Sequence, residues 1–339
     1  MHGNQSIMPK KRTIVINIVI VILFLFVIYR YREFFENVYE SMNTVRMKTI
    51  IQISVLSFVY FLLDAYLYHT ICKIHNNQLT YMDSVKITFI VAFFRLLTLG
   101  SGGMPARVYC YHKKGVEIGD ATGAWLIEYL FFKVVILIMG LFSIAVFPNM
   151  LSNLPVSFPF VLLGIAIVLL VVVLLSVAAL NKRITDFFYS KFNQSKMVHS
   201  KAGEKIENLF YQVRLLQAES EHVMREKKRF LVIFGLNLVM VFVYYLIPAI
   251  LLHDKCGISM WYGSQMMSLS NLLAGAIPTP SGFGSLELVY YSLLSPFDIN
   301  VEAAGILIIL RFFTVILPFF IGAVLWLICG REEKRKKTE

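Results

Sequence analysis

Charged residues are scarce in this chain of 339 residues: they make up 16% of it, against 58% hydrophobic. That balance, with several long apolar runs, leaves a polytopic helical membrane protein as the fold class. Cysteine is scarce too. Cys72, Cys110, Cys256 and Cys329 stand far apart, which excludes a disulfide framework, and no Cys or His spacing matches a zinc site. No His/Asp/Ser set or metal cluster supplies a base or nucleophile, so no catalytic residue, metal or cofactor is expected. The apolar run after Lys10-Lys11-Arg12 lacks a small-residue cleavage site and reads as a retained first span. The segment Pro148–Pro155 has no Lys or Arg at all, which places it outside.

What charge there is sits in short flanks and one loop. The net charge of +11 raises the question of nucleic acid, but its distribution follows the positive-inside rule, and no nucleic-acid partner is expected. Six full spans are read at 13–29, 47–71, 121–147, 158–180, 230–252 and 303–329, at about 1.5 Å per residue across a core of about 30 Å. Residues 30–48 read as an interfacial segment. The run 158–180 is apolar all round and suits a lipid-facing position. Residues 181–229 hold eleven Lys/Arg against six Asp/Glu and belong in the cytoplasm. Within them Ile206, Leu209, Phe210, Val213 and Leu216 form a helical stripe, read as a helix lying on the inner headgroups. Both termini are expected in the cytoplasm of a multi-pass cell-membrane protein, with 148–157 and 253–260 outside.

Two further apolar segments are interrupted. At 83–114 the run meets Gly100, Gly102, Gly103 and Pro105; at 261–295 it meets Pro278, Pro280, Gly282 and Gly284. Proline removes an amide donor and glycine permits positive φ, so neither segment is a plain helix. Irregular backbone at membrane depth is tolerated where protein or a watered cavity surrounds it. The expected fold is therefore all-α, about six spans plus two broken re-entrant segments, in one integral membrane domain over 1–339. Residues 47–147 and 229–329 read as repeats of opposite orientation, an architecture suited to alternating access.

These residues also resemble a known family. Ile277-Pro278-Thr-Pro280-Ser-Gly282-Phe-Gly284-Ser-Leu-Glu287, followed by Arg311 and Pro318, is similar to the C-terminal pattern of the lysylphosphatidylglycerol synthase transmembrane region, the flippase-like domain family. Gly102-Gly103, Arg107, Gly115 and Glu128 resemble its first-half pattern. Ser281, Thr98, Leu99 and Tyr129 depart from it. The resemblance covers roughly residues 10–330 and implies movement of lipid between leaflets, typified by aminoacylated phosphatidylglycerol. In two-domain members a soluble aminoacyltransferase domain follows; here the chain stops at Glu339 after a basic tail, and no aminoacyl transfer is expected of it.

Arg95, Arg107, Glu128, Glu287 and Arg311 are the candidate substrate-binding residues. A guanidinium binds phosphate oxygens in bidentate fashion, and an ionisable group at membrane depth is costly unless paired or near water. Arg107 and Glu287, each just after a break, are expected to meet as a gate between repeats, with Arg311 on the headgroup. Asp64 and Glu128 are alternative partners for the arginines, and Lys133 is read as snorkelling or paired. The leading function is a flippase for an anionic or aminoacylated phospholipid. The alternatives are the phosphatidylglycerol lysyltransferase role attached to the family, or a subunit of lipid modification, and an ion or small-solute transporter. A second copy of the chain and a lipid-modifying enzyme are further candidate partners.

Overall fold

In the computed structural model, residues 32–153, 158–194, 201–277, 284–297 and 299–336 are described, and every regular element among them is a helix. The expected first span at 13–29, and Pro278, Pro280 and Gly282, lie outside the described residues. In chain order the helices are α1 (Arg32–Asn43), α2 (Met47–Cys72), α3 (Tyr81–Leu97), α4 (Gly103–Lys113), α5 (Ile118–Val146) and α6 (Phe158–Leu180). The rest are α7 (Lys182–Asn193), α8 (Lys201–Arg225), α9 (Lys227–Cys256), α10 (Met260–Ala274), α11 (Ser285–Leu294), α12 (Asn300–Arg311) and α13 (Leu317–Lys336). Five stretches among the described residues are long and apolar enough to cross a membrane: α2, α5, α6, α9 and the run Glu302–Cys329 through α12 and α13. The chain is an all-α polytopic membrane protein.

Both interrupted segments are helix–break–helix units, α3–α4 and α10–α11. The first limb α3 starts at a capping box, in which Thr80 Oγ1 accepts the Asp83 amide and Asp83 accepts the Thr80 amide, each at 3.2 Å. Each first limb packs on its own half's leading span, α3 on α2 and α10 on α9, and also on the other half's last span, α3 on α13 and α10 on α5. The leading spans α2 and α9 pack on each other. Without a hydrophobic driving force between helices in lipid, such close approach depends on small residues. Gly322 of α13 lies against the Phe89 carbonyl of α3, and Gly140 of α5 lies against Leu272 of α10, where added side chains would collide.

The buried side chains fall into two main clusters. One joins α2, α5, α9, α10, α11 and α12 through Ile53, Tyr245, Met266, Tyr290 and Ile306; the other joins α2 to α5, α8 and α9 through Tyr68, Ile71, Tyr111, Ile127 and Val223. Helix α6 turns Leu162, Leu163, Leu170 and Leu174 outward, in keeping with a lipid-facing span.

Helix α8 corrects one expectation. In its first half Leu209 is exposed while Phe210 packs on Tyr189 and Phe192 of α7, and its second half docks on α5 and α6 and buries Leu216, Gln217, Glu219, Ser220 and Val223. Gly119 and Gly123 of α5 make room, with the Leu215 carbonyl 3.0 Å from where a Cβ on Gly123 would stand. The apolar stripe predicted a headgroup surface because the polar residues that dock, Gln217 and Glu219, do not look apolar in sequence. Gln217 donates to Thr185 Oγ1 at 2.8 Å and Glu219 bonds His75 at 2.9 Å, so both are buried with partners.

Candidate functional site

The first break is built by side-chain and backbone turns. Thr98 Oγ1 donates to the Phe94 carbonyl at 2.7 Å and accepts the Gly102 amide at 2.6 Å, while Leu99 and Gly100 take φ of 50° and 101°. A glycine accepts that geometry without strain; Leu99 does so with it. Gly103 then lets the aliphatic stem of Arg95 lie alongside, its carbons 3.4–3.6 Å from where a Cβ would stand.

Helix α4 carries Arg107 inward. Arg107 Nη2 donates to Asp64 Oδ2 at 2.9 Å, and its guanidinium lies over the Tyr68 ring, 3.6 Å from the centroid. Asp64 also accepts from Thr88 Oγ1 at 3.1 Å, and the Tyr68 hydroxyl donates to Glu128 Oε2 at 2.8 Å. Four helices of the first half thus close one buried polar network.

At the second break Gly284, with φ of 88°, opens α11. Its amide donates to Glu287 Oε2 at 2.9 Å, and Glu287 Oε1 pairs with Arg311 Nε. Arg311 ends α12, and the next turn, Phe312–Ile316, is a π-turn. Ser57 of α2 donates to the Phe313 carbonyl there at 2.6 Å. Such widened turns recur at functional sites because they free backbone groups and re-aim side chains.

The expected Arg107–Glu287 gate is therefore not formed. Each residue takes its partner inside its own half, Asp64 on α2 for Arg107 and Arg311 for Glu287. Nor is either alternative partner for Arg311 used: Asp64 holds Arg107, and Glu128 holds Tyr68.

Between the two breaks lies a cavity of about 290 Å³. Its walls come from both broken units and the spans around them: Arg95 and Leu96 at the first break, Asn271, Gly275 and Ser285 at the second, Lys133 on α5, Tyr60 on α2, Tyr244 on α9, and Arg311 with Thr314 on the last span. Of the sequence candidates, Arg95 and Arg311 line it, whereas Arg107, Glu128 and Glu287 stand behind its walls. Arg95 forms no ion pair among the described residues, and Lys133 lies 5.4 Å from the centre of the Tyr129 ring. Three cations thus share a small cavity, and one of them, Arg311, is paired with Glu287.

Lys133 was legible only as a cation in a span. Tyr60 and Tyr244, whose rings meet at 5.5 Å, gave no sequence signal beyond membrane aromatics. The available clue was their similar place in the two leading spans.

The family model of the lysylphosphatidylglycerol synthase TM region matches residues 14–322. The chain belongs to that family. No curated protein matches it. The matched region takes in both breaks, the buried network and every residue lining the cavity.

Proposed function

We propose that the chain is a lipid flippase whose central cavity receives the phosphate of an anionic phospholipid headgroup. The observation that supports this reading is the convergence of Arg95, Lys133 and Arg311 on one cavity between the two breaks. The lining holds three cations and no carboxylate, and with Glu287 and Glu128 behind its walls a positive surplus remains at membrane depth, where unpaired charge is costly, so the site favours an anion. The guanidinium groups offer bidentate contacts to phosphate oxygens, and Asn271, Ser285 and Thr314 offer polar groups beside them.

In this reading 47–147 and 229–329 are inverted repeats that rock about the cavity, exposing it to either leaflet in turn. The seams α3–α13 and α10–α5, each between one half's broken helix and the other's last span, are the surfaces that slide. Both termini and 181–229 face the cytoplasm of the cell membrane.

A leaflet-resolved assay with fluorescent phosphatidylglycerol in proteoliposomes tests the function. The wild-type chain accelerates exchange between leaflets and Arg95→Gln abolishes it while remaining folded. Exchange no faster than in protein-free vesicles overturns the proposal. For topology, Cys256 in a background lacking the other three cysteines reacts with an impermeant thiol reagent from outside; failure to react rejects the inverted arrangement.

A further inference from the structure

The network behind the cavity has one carboxylate too many. Asp64 is held by Arg107 and Thr88. Glu128 receives the Tyr68 hydroxyl and forms no ion pair among the described residues. Arg107 is 8% exposed and its Nη1 is buried without a hydrogen-bond partner. One guanidinium therefore faces two carboxylates, and the charge that balances the second must come from elsewhere.

Arg95 is the cation positioned to do so. It is exposed and lines the cavity together with Phe132, one helical turn past Glu128 on α5. From α2 Glu128 is faced by Tyr60, Asp64 and Tyr68, from α3 by Arg95, and from α4 by Arg107; Tyr129 adjoins it on α5. Helix α6 carries no ionisable residue. Helix α8 meets α5 near its start, where Glu219 packs at Gly123, and α10 meets it near its end, where Gln265 accepts from Ser143. Tyr244 brings the phenol of α9 to the cavity side.

We propose that Glu128 is a proton-binding site coupled to the cavity: it takes up a proton when a phosphate diester draws Arg95 to itself, and releases it when the cavity empties. The inference rests on the reading of the cavity as an anion site. The step is a protonation alone, in which a carboxylate and a proton from water become a carboxylic acid. With Arg95 turned to the phosphate, an ionised Glu128 would leave two buried carboxylates against Arg107, and neutralising one removes that cost. The neutral acid still accepts the Tyr68 hydrogen bond. An anion and a proton then share one occupied state, which ties headgroup movement to a proton gradient.

The test uses the full chain in detergent with two probes: dihexanoyl phosphatidylglycerol, and glycerophosphoglycerol, the same phosphodiester without acyl chains. Neither diester titrates in the range used, so any pH slope belongs to the protein. Binding is measured from about pH 5 to about pH 9, with proton uptake read by an indicator in weak buffer. The proposal expects uptake of about one proton per probe bound, and a Kd that weakens up to about tenfold per pH unit on the alkaline side. Glu128→Gln abolishes the uptake and flattens the slope, whereas Glu128→Asp restores both.

A slope and uptake that persist in Glu128→Gln overturn the proton site. So does wild-type binding with no uptake, which leaves the anion site standing. Binding of neither probe rejects the anion site, and the proton site with it. Tighter binding of the acylated probe makes a lipid headgroup the ligand; equal binding makes it a free anion and keeps the proton site. If Glu128→Gln does not fold, infrared difference spectra of the wild type on probe binding decide, since the proposal requires a new protonated-carboxyl band and its absence overturns it.

Discussion

The two halves of the molecule share an interrupted helix with an ionic residue just past the break, yet they use it differently. In the first half Arg107 is sealed between α2 and α4, stacked on Tyr68 and bonded to Asp64, with Glu128 joined through the Tyr68 hydroxyl. In the second half Glu287 caps its own helix start through the Gly284 amide and holds Arg311 at the cavity wall. The same local device thus makes an enclosed structural network on one side and part of an open site on the other. Position in a half-helix does not decide role; what packs over the residue does.

Breaking the enclosed side should cost most. Arg107→Gln leaves two buried carboxylates without their guanidinium and is expected to lower stability by about 3–5 kcal/mol; Asp64→Asn, which leaves Glu128 opposite Arg107, and the double variant both lose less. Thermal unfolding of the purified chain in detergent checks this; a double-variant loss equal to the sum of the two single losses would show that the pair contributes nothing as a pair.

The seams between the halves come next. Gly322→Val forces a side chain against the Phe89 backbone, and Gly140→Val forces one against Leu272, which lies in a side chain's reach rather than a carbonyl's. Overpacking of this kind costs about 1–3 kcal/mol, with Gly322→Val the worse because backbone yields less. The same unfolding assay ranks them, and the reverse order would count against the contact assigned to Phe89.

On the open side, Glu287→Gln keeps an acceptor for the Gly284 amide but releases Arg311. A stability loss on the order of 1 kcal/mol is expected, smaller than for Arg107→Gln because the pair borders the cavity. Dihexanoyl phosphatidylglycerol should bind several-fold more tightly to this variant. Weaker binding would mean that Glu287 itself contacts the ligand.

The smallest effect concerns the docked helix α8. His75 bonds Glu219 at 2.9 Å and pairs with Asp120 at 3.2 Å, and the hydrogen bond to the Glu219 carboxylate raises its pKa above the ordinary value despite partial burial. A raised folded pKa stabilises docking fully below the unfolded value of about 6.5, and this contribution is lost as pH rises through the folded value. Hydrogen exchange in residues 215–223 should therefore speed up on the alkaline side. His75→Gln should remove the pH step; a step that survives it belongs to another group.

Much of the architecture was legible in the chain itself. Five of the six spans read from apolar runs coincide with helices long enough to cross a membrane, and both interrupted segments fall where glycine and proline break the apolar pattern. The sixth lies outside the described residues. Site membership was harder to read. Arg95 and Arg311 do line the cavity, but Lys133 reads in sequence as an ordinary snorkelling cation, and Tyr60 and Tyr244 as ordinary aromatics.

Composition, apolar length and the placement of glycine and proline determine that this chain is a helical membrane protein with two broken helices, because those features act through local backbone preference and the cost of exposing polar groups to lipid. Which charge meets which is not local. Asp64 and Arg107 are brought together by the packing of α2 on the first broken unit, and Glu287 and Arg311 by the packing of α11 on α12. Only the tertiary structure could assign those partners, since an arginine and a carboxylate at membrane depth attract any opposite charge within reach, and the reach is set by how the helices pack.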